Sequence, residues 1–102
     1  MNLWFDSTKC LINGVWVAPL GGATLPLLNP STGQALAQIA RGQAADIDAA
    51  VGAARAALDG EWGHLSAAER GRMLARLGQL VAEKVEELAA IEAADVGKPL
   101  KQ

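Results

Sequence analysis

Large aromatic side chains are scarce in this sequence of 102 residues, which has three tryptophans, one phenylalanine and no tyrosine. Hydrophobic residues still make up 51% of the chain, and alanine is the commonest type. This composition favours slender, closely packed helices with few large anchors for a core. The chain is long enough for one domain or less. Its single cysteine excludes an internal disulfide and is typical of a reducing compartment.

Runs of basic residues and long apolar runs are also missing. The net charge is −2 and the charges are interspersed, which argues against nucleic-acid binding. No stretch reaches the roughly 18 consecutive apolar residues of a membrane-spanning helix, and residues 1–9 lack the basic start of a secretory signal. We therefore expect a cytoplasmic protein that binds neither nucleic acid nor membranes.

The first part of the chain is rich in strand and turn signals. Two short β-prone runs flank Asn13-Gly14, a pair that favours a type I′ hairpin turn. Residues 24–28 and 35–40 predict a second pair of strands, joined by the turn-forming run Asn29-Pro30-Ser31-Thr32-Gly33. Pro26 restricts its strand to an edge or a bulge.

Helical periodicity follows over residues 44–58 and 65–99. In the second stretch Ser66 and Glu69 form a capping-box pattern, and Gly97 and Pro99 mark the end. The sequence predicts one helix of seven or eight turns whose apolar residues fall within an arc of about 140°. These residues are Met73, Leu74, Leu77, Leu80, Val81, Val85, Leu88 and Ile91.

Two cations, Arg70 and Lys84, lie within the same arc. Either they lay their alkyl stems on apolar surface with the charges in water, or they meet acidic groups on a layer that this chain does not contain. The residues alone leave both interpretations open.

Few residues could carry chemistry. Cys10 lies in a strand pattern without a nearby base other than Lys9, which indicates a structural thiol. His64 has no second histidine or cysteine nearby, so a surface or capping role is favoured over metal binding. The residues by themselves predict an α+β segment with short antiparallel hairpins followed by two amphipathic helices.

An ordered set of short motifs gives the sequence a family resemblance. It resembles the amino-terminal segment of the aldehyde dehydrogenase superfamily over about residues 9–102, and such a segment is part of that family's α/β fold. The motifs are Leu11-Ile12-Asn13-Gly14-Val15-Trp16-Val17, Asn29-Pro30-Ser31-Thr32-Gly33, residues 45–57, Trp62, residues 68–72, residues 87–90, residues 92–95 and Gly97-Lys98-Pro99.

The resemblance implies an incomplete unit covering residues 1–102. Residues 9–40 would supply amino-terminal hairpins, and residues 44–99 would supply the first helices, packed on the coenzyme-binding domain. The family's catalytic cysteine, general-base glutamate and coenzyme-binding residues come further along the chain. We therefore expect no catalytic or cofactor-binding residue here, and NAD or NADP only in the complete enzyme, which would be a homo-oligomer.

The resemblance also suggests part of a metal site. Several family members bind a monovalent cation through a carbonyl before the Asn-Pro turn and the aspartate before Gly-Lys-Pro. By position these groups belong to Leu28 and Asp95. The alternative is that Asp95 caps a turn.

Two functions remain open from the sequence. The first is the amino-terminal part of an enzyme that oxidises an aldehyde to a carboxylic acid with NAD(P)+ through a cysteine thiohemiacetal, the chain alone being inactive. Its partner would be the remainder of the dehydrogenase chain. The second is a stand-alone helical interaction module that self-associates or binds another protein through its apolar stripe.

Overall fold

Two hairpins precede a set of helices in the computed structural model, which describes residues 1–101. The element order confirms an α+β segment with the strands first. The elements are β1 (Cys10–Ile12), β2 (Val15–Val17), β3 (Thr24–Leu28), β4 (Ala35–Ala40), α1 (Ala44–Asp59), α2 (Glu61–His64), α3 (Ala67–Glu83) and α4 (Val85–Val96).

The two hairpins form where the turn residues predict them. Strand β1 pairs antiparallel with β2, with Leu11 opposite Trp16. Asn13 and Gly14 both have positive φ, 54° and 74°, as a type I′ turn requires. Strands β3 and β4 are also antiparallel, and the register shifts between Leu27 and Leu28.

Residues 1–9 connect the two hairpins. The Met1 ammonium group donates to the Leu36 carbonyl at 3.3 Å, and the Ala40 N–H donates to the Ser7 carbonyl at 2.8 Å. The Phe5 ring stacks on Trp16 in the first hairpin, with 5.7 Å between ring centroids. The amino-terminal segment therefore contacts β4 and β2 at once.

The second helical stretch is not a single helix, and that prediction is wrong. Helix α3 begins with the predicted capping box, in which Glu69 N–H donates to Ser66 Oγ at 3.1 Å and Ser66 N–H donates to Glu69 Oε2 at 2.9 Å. The stretch is then divided at Lys84, which has φ −105° and ψ 15°. With the short α2, four helices rather than two occur within residues 1–101.

The division at Lys84 has no local chemical cause, because neither proline nor glycine is present there. The apolar period specifies which face of a helix is hydrophobic and does not specify whether the axis is continuous. The end of α4 is as predicted: Gly97 has φ 77°, the left-handed conformation that glycine adopts most easily.

The described residues form an extended layer. Within residues 1–101, Pro19 and Asp46 are the only buried residues. The radius of gyration is 16.7 Å, against about 13 Å for a compact domain of this length. The accessible surface is 7639 Å², whereas a compact protein of this mass exposes about 5500 Å². None of the helices within residues 1–101 is long and apolar enough to cross a membrane.

Candidate functional site

The two residues predicted for a cation site lie on different elements. Leu28 is the last residue of β3, directly before the Asn-Pro turn. Asp95 lies in the last turn of α4, and its side chain is exposed. Their positions in the chain are far apart, so the site depends on how α4 meets the second hairpin.

The end of α4 contacts the turn that follows Leu28. A Cβ atom added to Gly97 would lie 3.0 Å from Pro30 Cγ, which is tighter than ordinary van der Waals contact. Glycine at this position therefore permits the close approach as well as the left-handed φ. The segments that follow Leu28 and Asp95 are thus brought side by side.

Hydrogen bonds other than those of the Asp95 side chain stabilise the end of α4 and the Asn-Pro turn. The N–H of Gly97 donates to the Ala93 carbonyl at 2.9 Å, as at an ordinary left-handed helix terminus. On the opposite side, Asn29 Oδ1 accepts from the Ser31 N–H at 2.8 Å and stabilises the turn. Within residues 1–101, histidine, cysteine and carboxylate side chains form no cluster of three suited to a metal ion.

Cys10 and His64 are placed as structural residues. Cys10 is half-buried in β1 and has a free thiol. His64 ends α2, and its Nδ1 donates to the Gly60 carbonyl at 2.6 Å.

Sequence reasoning missed Asp46, which ties the first hairpin to the start of α1. Its Oδ2 accepts from the Gln43 N–H at 2.9 Å, and its Oδ1 accepts from the Leu20 N–H at 3.0 Å. These two bonds, the Gln43 bond foremost, hold the pKa of the Asp46 carboxyl below its ordinary value. A carboxylate in the first turn of α1 suits the positive end of the helix dipole, but no sequence signal indicates the bond to Leu20.

The apolar face of α3 is exposed in the described chain. Leu74, Leu77 and Val81 expose 61%, 55% and 49% of their surface, respectively. We call the five large exposed apolar residues of this helix the open face of α3: Met73, Leu74, Leu77, Leu80 and Val81. A continuous apolar face of this kind marks a surface that another structure covers.

The two cations of the stripe differ in their surroundings. Lys84 Nζ lies 3.5 Å from Glu87 Oε1, and both side chains are more than half exposed. Arg70 is half-buried, and its Nη1 donates to the Leu65 carbonyl at 2.6 Å. Among residues 1–101, no carboxylate forms an ion pair with Arg70.

Comparison with known protein families identifies the family of the chain. A sequence profile described as the aldehyde dehydrogenase family matches residues 16–102. The chain therefore belongs to the aldehyde dehydrogenase family, and the resemblance stated from its motifs is confirmed.

Particular relatives cover nearly all of the chain. It is 49% identical over 96 residues to aldehyde dehydrogenase family 2 member B4, mitochondrial, of Arabidopsis thaliana, covering 93% of this chain and 18% of that protein. It is 48% identical to hydroxyisobutyraldehyde dehydrogenase of Mycolicibacterium austroafricanum, covering 84% of this chain and 17% of that protein.

Solved structures show the same layer of hairpins and helices within larger enzymes. The NAD+ complex of aldehyde dehydrogenase from Bacillus cereus matches with a TM-score of 0.90 and 43% identity, over 94% of this chain and 20% of that one. The chain thus spans about a fifth of the length of its relatives. It corresponds to their amino-terminal segment.

Proposed function

We propose that this chain supplies the amino-terminal layer of an NAD(P)-dependent aldehyde dehydrogenase. The observation that carries the proposal is the family match over residues 16–102, together with apolar helix faces that no residue of the described chain buries. In such an enzyme a cysteine thiolate outside these residues adds to the aldehyde, the thiohemiacetal loses a hydride to NAD(P)+, and water hydrolyses the thioester to the acid.

The chain by itself contributes structure rather than chemistry in this proposal. Residues 9–40 and 44–99 form one incomplete unit, in which the helices pack on the coenzyme-binding domain. The exposed apolar residues of α1, such as Ile47 and Val51, and the open face of α3 support this placement. The 102 residues alone are expected to oxidise no aldehyde, since Cys10 is a structural thiol in β1 and the sequence has no Gly-rich phosphate motif.

The proposal extends to coenzyme, assembly and compartment. NAD or NADP is the coenzyme of the complete enzyme, supported by the NAD+ complex of the Bacillus cereus relative. The complete enzyme is a homo-oligomer, and its location is cytoplasmic, in line with a single unpaired cysteine. Its partners include neither nucleic acid nor membranes, in line with the interspersed charges.

Leu28 and Asp95 are proposed to contribute a carbonyl and a carboxylate to a monovalent cation site completed by the rest of the enzyme. The contact between Pro30 and Gly97 supports this proposal, because it holds the two segments together. The complete enzyme should unfold at a higher temperature in potassium chloride than in choline chloride at equal ionic strength. Asp95→Asn should abolish this difference. An unchanged difference between the two salts would contradict the site.

A chimera tests the proposed function. The matching first fifth of the Bacillus cereus enzyme is replaced by this chain, and NAD+ reduction by an aldehyde is measured against the unmodified enzyme. We expect a soluble, active chimera, since the two segments share their backbone shape. An insoluble chimera, under conditions in which the unmodified enzyme folds, would reject the proposal.

The stand-alone module is tested separately on the 102-residue chain. Light scattering that shows a discrete dimer with cooperative unfolding would favour the module. A chain that gains a cooperative fold only within the chimera favours the dehydrogenase segment.

A further inference from the structure

We propose that Arg70 binds a carboxylate on the surface that covers the open face of α3, and that this surface belongs to the remaining four-fifths of the dehydrogenase chain. The inference rests on the proposed function and adds the polar contact that orients α3 on its partner. The partner surface is therefore an apolar patch that carries one carboxylate, and this carboxylate lies opposite the amino-terminal end of α3.

The position of Arg70 places it inside the surface to be covered. Successive helical residues are about 100° apart, so Arg70 lies within about 40° of Leu74 and Leu77 around the helix axis. It is already half-buried by its own chain. A structure that packs on Leu74 and Leu77 will therefore also remove water from the Arg70 guanidinium group.

The guanidinium group then lacks acceptors. It carries five N–H donors, and the Leu65 carbonyl is the acceptor that the described chain supplies. A cation withdrawn from water without a partner is strongly destabilising, whereas a bidentate carboxylate satisfies both its charge and its fork of donors. Lys84 already has a carboxylate within reach, since Glu87 Oε1 lies 3.5 Å from its Nζ in the described chain.

A second copy of this chain does not meet the requirement. Arg70 and Lys84 are equally distant along the chain from Leu77, so an antiparallel pair centred on Leu77 would bring Arg70 of one copy near Lys84 of the other. A parallel pair in register would place Arg70 near itself. In the antiparallel pair, the carboxylates next to Lys84 already have cationic partners within their own chain, and the parallel pair juxtaposes like charges in a desolvated interface. The length that relatives carry beyond this segment supplies the alternative occupant, since the chain covers only 18–20% of them.

The active chimera provides the test. Arg70→Met keeps the aliphatic stem, removes the charge and leaves the partner carboxylate unpaired, so the rate of thermal inactivation should rise at least tenfold. Arg72→Met is the matched control, because Arg72 is exposed on the opposite side of α3, and its rate should stay within about twofold. Arg70→Lys should fall between the two, since lysine keeps the charge without the planar fork.

A crystal structure of the unsubstituted chimera gives a readout that does not depend on a variant folding. A carboxylate within 4 Å of the Arg70 guanidinium, supplied by the dehydrogenase portion, supports the proposal. Equal inactivation rates for Arg70→Met and Arg72→Met, or a guanidinium group that faces only carbonyls or water, would overturn it. In that case a soluble, active chimera still leaves the proposed function standing, whereas an insoluble chimera removes both.

Discussion

Helices α3 and α4 carry two halves of one apolar stripe, and this chain partly covers only the second half beyond Val85, which is 59% exposed. Leu88 and Ile91 of α4 are half-buried, and Ile91 lines an open groove with Leu3 and Trp4 of the amino-terminal segment. Leu74 and Leu77 of α3 are 61% and 55% exposed. The same periodic pattern therefore leads to two different packing outcomes.

The change of outcome coincides with the division at Lys84. Helix α4 shares a groove with the amino-terminal segment through Glu87, Ala90 and Ile91 and approaches Pro30 at its end, whereas α3 begins from its own capping box. The local sequence contains no helix breaker at Lys84, so helix propensity does not explain the division. We expect the exposed face of α3 to be the surface on which the rest of the enzyme packs.

The largest expected effect tests whether α3 is covered in the complete enzyme. In the chimera, Leu77→Asp should destabilise the fold by about 3 kcal/mol or more, because it places a charge in an apolar interface. In the 102-residue chain the same change should alter the stability of the helices by no more than about 0.5 kcal/mol. Urea unfolding followed by circular dichroism measures both.

Gln79→Asp is the control for that substitution, because residue 79 lies on the opposite side of α3. It should leave the chimera close to its original stability. An equal loss for Gln79→Asp and Leu77→Asp would remove the distinction between the open face and the outer face of α3.

The turns and helix ends were predictable because each depends on chemistry local to a few residues. Asn13-Gly14, the Ser66–Glu69 capping box and Gly97 impose backbone geometry through a left-handed φ or a side-chain hydrogen bond. The division at Lys84 has no such local signal, and the groove that α4 shares with the amino-terminal segment involves residues more than 80 positions apart in the chain. Periodicity in a single stretch contains no information about such contacts.

The candidate site also combines residues that the sequence indicated with contacts that it did not. The family motifs indicated Leu28 and Asp95 by position, and the approach of Pro30 to Gly97 became visible only in three dimensions. Asp46 was missed because its second hydrogen bond comes from Leu20, on a loop that no motif links to α1. The open α3 face was anticipated, since a long apolar stripe in a short chain needs a larger body to cover it.

The second prediction concerns Gly63, in the short helix that leads into α3. A Cβ atom at this position would overlap the Leu58 carbonyl oxygen, which is backbone and has little freedom to move. Gly63→Ala should therefore cost about 2 kcal/mol and disturb the start of α3. Circular dichroism during urea unfolding of the chimera measures the loss.

Gly71→Ala in α3 should have the opposite sign. No atom lies within 4 Å of a Cβ placed on Gly71, so the substitution should stabilise the helix by about 0.5–1 kcal/mol. A destabilisation as large as that of Gly63→Ala would show that glycine is required equally at both positions.

The third prediction separates α4 from α3 through the segment that covers α4. Leu3 is half-buried and lines the groove with Ile91, so Leu3→Ala should cost about 2 kcal/mol, the lower end of the range for leucine truncation. Amide hydrogen exchange in the chimera should increase at Leu88 and Ile91 and stay constant in α3. Leu20→Ala, at a side chain that is 79% exposed, is the control and should change neither helix. Faster exchange confined to α3 would reverse the assignment of contacts.

The smallest effect concerns Asp46, which connects the start of α1 to the loop after the first hairpin through the Leu20 N–H. Because its pKa is lowered in the folded chain, its stabilising contribution is fully present above the ordinary pKa of about 3.9 and disappears as the pH falls through the lowered value. Asp46→Asn should therefore reduce stability at neutral pH, where the carboxylate accepts from Gln43 and Leu20. It should also flatten the decrease in the free energy of unfolding at acid pH.

Asp48→Asn, at an exposed position in the same helix, is the control and should preserve that decrease. Identical acid limbs for Asp46→Asn and the unsubstituted chain would show that the Asp46 carboxylate does not couple folding to pH.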